Sequence, residues 1–187
     1  MRLAVLASGS GTILDAMARR GLPISLVMVD RACGAEKVAA DHGLMCVLVE
    51  RESFGPDFDR VGYTRQVTER LQAEGIELVA MAGFGTVLDQ PMQDAYGGRI
   101  LNTHPSLLPA FPGWHAVEDA LEYGVKVTGC TVHVATLEVD AGPILAQQPV
   151  AVEPDDTVDT LHERIKTVER DLYIRTIREI LDRGHVL

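Results

Sequence analysis

The sequence predicts an α/β fold: a doubly wound, mostly parallel sheet with a β-rich carboxy-terminal part and a long terminal helix. Three patterns predict it. Short contiguous apolar runs alternate with longer helical stretches through the first two thirds, the βαβ rhythm of a sheet covered on both faces. The last third turns to longer runs with more polar-apolar alternation. A helical stretch then closes the chain, opened by the capping residues Pro154-Asp155-Asp156-Thr157.

Taken in order, Leu3–Ala7 is a first strand, apolar throughout, and Ser8-Gly9-Ser10-Gly11-Thr12 turns the chain into a helix over 13–20. Ile24–Val29 is a second strand, followed by a helix over 35–42, a strand over 45–49 and a helix over 63–73. Leu78–Met81 and 100–101 complete the buried parallel set. Longer strands over 125–134 and 144–152 flank the turn residues Asp140, Ala141, Gly142 and Pro143, and are expected to pair with each other near the sheet edge. The terminal helix is expected over 158–181. A length of 187 residues suits one domain with a full core.

Charged residues make up 24% of the chain and apolar ones 47%, the balance of a soluble globular protein. Lys and Arg number 17 against 27 Asp and Glu, a net charge of -10 that argues against nucleic acid as a partner while leaving room for a small anionic substrate. Cys33, Cys46 and Cys130 form no Cys-x-x-Cys pair, which favours a reducing, cytoplasmic setting over a disulfide framework. No run approaches a membrane span, and the first apolar run is too short for a signal-peptide core, so no membrane partner is expected.

Ser8-Gly9-Ser10-Gly11-Thr12 lies where free backbone N–H groups and a helix dipole attract an anion. A tight turn that merely needs glycine explains the same residues. Asp30 falls 19 residues after Gly11, about where a dinucleotide fold places its ribose-binding acid. Leu14 stands where that fingerprint requires a third glycine, so a single phosphate fits better than a pyrophosphate.

Asn102-Thr103-His104 follows an apolar run and opens the segment Pro105-Ser106-Leu107-Leu108-Pro109-Ala110-Phe111-Pro112-Gly113, stiffened by three prolines. Side chains two apart at a strand end share a side, so Asn102 and His104 aim one amide and one titratable donor at a common point, as a developing oxyanion requires. Asp140, in a turn with Gly142 and Pro143, is the third partner expected: beside His104 it favours the protonated ring and accepts a proton from an attacking amine. Ordinary turn and hydrogen-bonding roles remain open for all three. Ser106 lacks the Gly-x-Ser-x-Gly elbow of a nucleophile and reads as a loop cap. His115 and His133 are read as packing or supporting residues rather than metal ligands, and no metal is expected. His42, His162 and His185 read as surface residues, Met81, Phe84, Leu88 and Met92 as core, and Glu153, Asp155 and Asp156 as a solvated helix entrance.

At three separated segments the chain resembles the phosphoribosylglycinamide formyltransferases, folate-dependent enzymes of purine synthesis. These are residues 5–12, the block 101–113 and Val139-Asp140-Ala141-Gly142-Pro143-Ile144. The resemblance implies a Rossmann-like formyltransferase fold and transfer of formyl from 10-formyltetrahydrofolate, as co-substrate, to the amine of phosphoribosylglycinamide. It makes His104 the general acid and oxyanion stabiliser, Asn102 its partner donor and a folate contact, and Asp140 the proton relay. It further implies that backbone groups of Gly11, Thr12 and Ile13 hold the substrate phosphate and Glu169 the ribose. Gly85, Thr86, Val87 and Leu88 would face the pterin, and Arg60 would help bind the folate. Residues 1–100 would then be a phosphate-binding half and 101–187 a catalytic and folate-binding half of a monomer or homodimer.

The chain departs from the family at Ser10-Gly11-Thr12-Ile13, where many members carry Asn-Gly-Ser-Asn, at Gly85-Thr86, where a Met-Arg pair is usual, and at Ala141, where glycine is usual. Methionyl-tRNA and sugar-nucleotide formyltransferases typically continue Ser-Leu-Leu-Pro into Arg-Gly, against Ala110-Phe111-Pro112-Gly113 here. A formyltetrahydrofolate hydrolase shares the same three catalytic residue types. From a different class, the Gly9, Gly11 and Asp30 spacing alone would support a nucleotide-binding module or an NAD-dependent oxidoreductase.

Overall fold

In the computed structural model, which describes residues 1–53 and 55–187, the unbroken apolar run Leu3–Ala7 is β1 and is buried at every position. It pairs in parallel with β2 (Ile24–Val29) on one side and, on the other, with the strand Leu78–Met81. The chain between them supplies α1 (Thr12–Arg19), α2 (Gly34–Asp41), β3 (Cys46–Leu48) and α3 (Arg60–Ala73), so Leu78–Met81 is β4. α4 (Gln90–Tyr96) and β5 (Ile100–His104) follow, with β3 parallel to β2 and β5 parallel to β4. The remaining elements are α5 (Ala116–Tyr123), β6 (Val127–Val134), β7 (Ile144–Ala151) and α6 (Val158–Arg183). Strand neighbours follow the order β3-β2-β1-β4-β5-β6-β7, mostly parallel as the sequence predicts.

The chain forms two compact units, Met1–Leu101 with Val186–Leu187, and Asn102–His185. In the first, chain progression reverses between β1 and β4, the switch point beside which open α/β sheets bind ligands. Helices α1 and α2 contact each other, as do α3 and α4; right-handed crossovers place the two pairs on opposite faces. Leu6, Leu14, Met17, Leu26 and Met28 are fully buried, each contributing about 1.5–3 kcal/mol by leaving water. Phe84, Leu88 and Met92 are core, as expected, while Met81 is half-buried. His42, read as a surface residue, is half-buried because it reaches from the end of α2 to Asp15 on α1, with Nε2 2.8 Å from Oδ1.

In the second unit β6 and β7 form the expected antiparallel pair, with a register shift between Val132 and His133. Along α6, Leu161, Ile165, Leu172, Tyr173, Ile177 and Ile180 are buried, and the helix packs on β6, β7 and α5. Thr157 caps it by accepting from the Thr160 N–H, and Gly184 ends it in the left-handed region at φ 80°. Asp156 corrects the reading of a solvated entrance: its side chain is 3% exposed and accepts two 2.8 Å bonds from the Arg164 guanidinium. That pairing holds its carboxyl well below the usual carboxylate range. His162 is half-buried, and burial pushes its ring down.

Helices α4 and α5 have no counterpart in the sequence reading. They span seven and eight residues. Among the described residues no helix is long and apolar enough to cross a membrane.

Gly142 shows how closely the turn before β7 lies on β6. A Cβ there would collide with the Val134 carbonyl oxygen and come within 3.1 Å of Thr136 Cγ2, while Val134 N–H donates to Pro143 at 2.9 Å. Gly142→Ala should therefore destabilise the protein by about 1–3 kcal/mol, the usual result of overpacking. Urea unfolding checks this, and an unchanged midpoint would refute so tight a contact.

Candidate active site

His104 is the last residue of β5 and 4% exposed. Its Nδ1 lies 3.3 Å from Asp140 Oδ2, and its Nε2–H donates to the Phe111 carbonyl at 2.7 Å. Both ring nitrogens thus face acceptor oxygens. Asp140 Oδ2 also accepts from the Gly113 N–H at 2.8 Å, so one carboxylate ties the histidine to the end of the proline-rich loop. Phe111 and Asp140 are the described non-glycine residues with positive φ, 53° and 57°. Asp tolerates that region and Phe rarely adopts it, so the loop stores strain where it meets His104.

His133 extends the cluster. Its Nδ1–H donates to the Val134 carbonyl at 3.1 Å, leaving Nε2 to accept from Asn102 Nδ2 at 3.4 Å. Asp140 Oδ1 stands 3.6 Å from the same Nε2, close enough to be an ion pair if the ring were charged. Burial dominates and pushes the His133 ring down, so we take it as neutral and Asn102 as its donor. Asn102, His104 and Asp140 therefore belong to one cluster, His104 in direct contact with Asp140 and Asn102 joined through His133.

The loop between β5 and α5 is anchored to the β6–β7 hairpin. Thr131 Oγ1 donates to the Ser106 carbonyl at 2.7 Å and accepts from the Leu108 N–H at 3.0 Å, and Gln147 Nε2 donates to the Leu108 carbonyl at 2.8 Å. Ser106 is fully buried and its hydroxyl donates to the Ala110 carbonyl, a loop cap as the sequence suggests. Glu169, on α6, is also buried; burial pushes its carboxyl up, opposed by a hydrogen bond from Thr103 and by Lys166 and Arg170.

In the first unit Gly11 caps α1 at φ 77°, and a Cβ there would lie 2.8 Å from Ala35 Cα. Glycine is required by both conformation and contact. Gly9 accepts from the Ala35 N–H at 3.1 Å, which holds the loop against the start of α2. The first-turn N–H groups of α1 begin at Thr12, which is exposed, and Ile13, half-buried; such groups have no partner within a helix and suit an anion. Arg60 is exposed at the first residue of α3. Gly85 is exposed, Val87 half-buried and Leu88 buried, whereas Thr86 is 1% exposed with its hydroxyl bonded to Asp30 and Arg51. Asp30 is fully buried with both carboxylate oxygens occupied, which argues against the ribose-binding role of a dinucleotide fold.

A family model described as formyl transferase matches residues 1–177. The chain belongs to the formyl transferase family. It is 43% identical over 188 aligned positions to a phosphoribosylglycinamide formyltransferase of Mycobacterium tuberculosis, covering 98% of this chain and 86% of the relative. A Bacillus subtilis protein of the same name is 34% identical, with 96% and 94% covered. Among solved structures, glycinamide ribonucleotide transformylase 1 from Symbiobacterium toebii matches with a TM-score of 0.87 at 43% identity, covering 94% of this chain and 84% of that one.

In this family member the residues that sequence reasoning undervalued are His133, Phe111 and Gly113. His133 carried a signal, a histidine set between two valines near the end of a buried strand. The other two contribute backbone groups, which no residue type announces. Among the described residues no group of three or more His, Cys, Asp or Glu is placed to hold a metal ion.

Glu169 makes stability depend on pH. Its folded carboxyl titrates above the ordinary 4.5, so its contribution is fully present below that value and is lost as pH rises through the folded one. Glu169→Gln should gain stability over the parent chain as pH rises from the acid range to neutrality. Urea melts across that range check this, and a difference that does not change with pH would count against a buried, perturbed carboxyl.

Proposed function

We propose that this chain transfers the formyl group of 10-formyltetrahydrofolate to the amine of 5'-phosphoribosylglycinamide in purine biosynthesis. The names of its full-length relatives support the reaction class. The observation that carries the chemistry is the buried contact of His104 with Asp140, flanked on both sides by left-handed backbone.

The substrate amine attacks the formyl carbon, and the C=O electron pair becomes an oxyanion. Asn102 and His104 are the donors for that charge in a site where water is excluded. Asp140 takes up the amine proton and stabilises the imidazolium of His104. The intermediate collapses by breaking the bond to folate N10, which leaves with a proton, so no covalent enzyme intermediate forms. Backbone N–H groups of Gly11, Thr12 and Ile13 hold the phosphate, and Glu169 the ribose hydroxyls. Arg60, Gly85, Thr86, Val87, Leu88 and Asn102 bind the folate. The substrates are small molecules, with neither nucleic acid nor membrane involved. The three free cysteines suit the cytoplasm.

The test is the purified chain with both substrates. Formylated product is expected; formate release without it would move the reading to a folate hydrolase, and tight NAD(H) binding without transfer would end it. His104→Ala and Asp140→Asn should each lower kcat by about 10²–10³-fold, the scale of losing one oxyanion donor, with an unchanged circular dichroism spectrum. Near-normal turnover in either would remove that residue from its role.

A further inference from the structure

Asp30 is used neither for catalysis nor, in the reading above, for substrate, yet it is the most heavily bonded buried carboxylate of the first unit. It follows β2 directly and is fully buried. Arg31 donates to it twice, Nε to Oδ1 and Nη2 to Oδ2, each at 3.0 Å. The Thr86 hydroxyl donates to Oδ2 at 3.0 Å, and the Ser8 hydroxyl is a further partner. Burial pushes the Asp30 carboxyl up, but these donors outweigh it and hold the group below its ordinary value, so it is charged at neutral pH.

A carboxylate only accepts, and this dictates the direction of every bond around it. Because Ser8 and Thr86 each spend their one hydroxyl hydrogen on Asp30, their oxygens are left to accept. Ser8 Oγ accepts from the Gly85 N–H at 2.9 Å, and Thr86 Oγ1 from Arg51 Nη1 at 3.2 Å. The Ser8 N–H in turn donates to the Gly83 carbonyl at 3.1 Å. Arg51 is fixed further by the Ser53 carbonyl at 2.8 Å and by the Phe58 ring, 4.1 Å from its guanidinium carbon. One buried charge thus ties together segments that follow β1, β2, β3 and β4, on both sides of the switch point.

We infer that Asp30 is a positioning residue for formyl-donor binding: its carboxylate orients the Ser8 and Thr86 hydroxyls and thereby sets the backbone of residues 83–88. The inference rests on the reading that Gly85 to Leu88 bind the folate. At Gly85-Thr86, where the family resemblance leads one to expect Met-Arg, the observed contacts of Thr86 are with Asp30 and Arg51. Thr86 places a hydroxyl, not a cation, in the loop, and Arg51 supplies a guanidinium from the segment after β3.

Asp30→Asn is the test, since neither orientation of the amide fits: an Arg31 N–H faces each position and would oppose the new –NH2. Amide hydrogen exchange should quicken about tenfold or more at Gly85, whose N–H is bonded to Ser8 Oγ, with β2 and β4 unchanged. The KM for 10-formyltetrahydrofolate should rise about tenfold or more, while kcat and the KM for phosphoribosylglycinamide stay within about threefold. Unchanged exchange would overturn the positioning role. Faster exchange with unchanged folate KM in an active enzyme would keep the network but overturn the assignment of residues 85–88 to folate. Equal losses in both KM values and kcat, with a lower melting temperature, would reduce Asp30 to a structural residue. Should Asp30→Asn not fold, Ser8→Ala keeps the carboxylate and removes the acceptor of the Gly85 N–H together with one donor to Asp30. Faster exchange confined to Gly85 would support the inference, and unchanged exchange would overturn it.

Discussion

A strand buried on both faces must either exclude polar side chains along its length or give each one a partner, and the placement of functional groups follows from that constraint. β1 is apolar and fully buried throughout. Polar groups are accordingly found where the strands end: Ser8 after β1, Asp30 after β2, Thr86 after β4, Asn102 and His104 in the last residues of β5. A buried polar group left without a partner costs about 1–3 kcal/mol, so each of these sites needs its own set of donors and acceptors. Among the described residues the buried side-chain polar atoms that lack a partner are the Tyr96 and Thr128 hydroxyls, and neither belongs to these sites.

The second unit meets the same requirement with charges of unlike kind. His133 is kept neutral by burial, and its position beside Asp140 lets it orient Asn102 without competing for the carboxylate. Asp140 divides its other oxygen between His104 and the Gly113 N–H. The histidine that touches the carboxylate and the one that merely stands near it therefore have different tasks, although both are almost inaccessible to water.

Much of this was legible from residue types alone. Contiguous apolar runs located β1, β2 and β4, and the proline loop between Asn102-x-His104 and Gly113 singled out the segment that meets Asp140. Asp140 stood out because a carboxylate in a Gly-Pro turn has fewer solvated alternatives than one on a helix face. What stayed hidden depends on long-range partners. Asp156 reads as a surface charge until Arg164, two turns along α6, covers it. Asp30 resembles a ribose acid in its spacing and differs from one only through Arg31, Ser8 and Thr86. The Phe111 carbonyl is invisible to any reading of side chains.

That carbonyl has a thermodynamic consequence for the reaction proposed. With Phe111 already accepting from Nε2 of His104, a formyl oxygen of similar basicity gains little by displacing it. A fully charged oxygen gains much more, because a hydrogen bond strengthens when its acceptor carries charge. An internal competitor of this kind cancels the part of the interaction shared by ground state and transition state, and leaves the difference between them. The loop's own backbone thus acts as a reference acceptor, against which His104 weighs the oxygen presented to it.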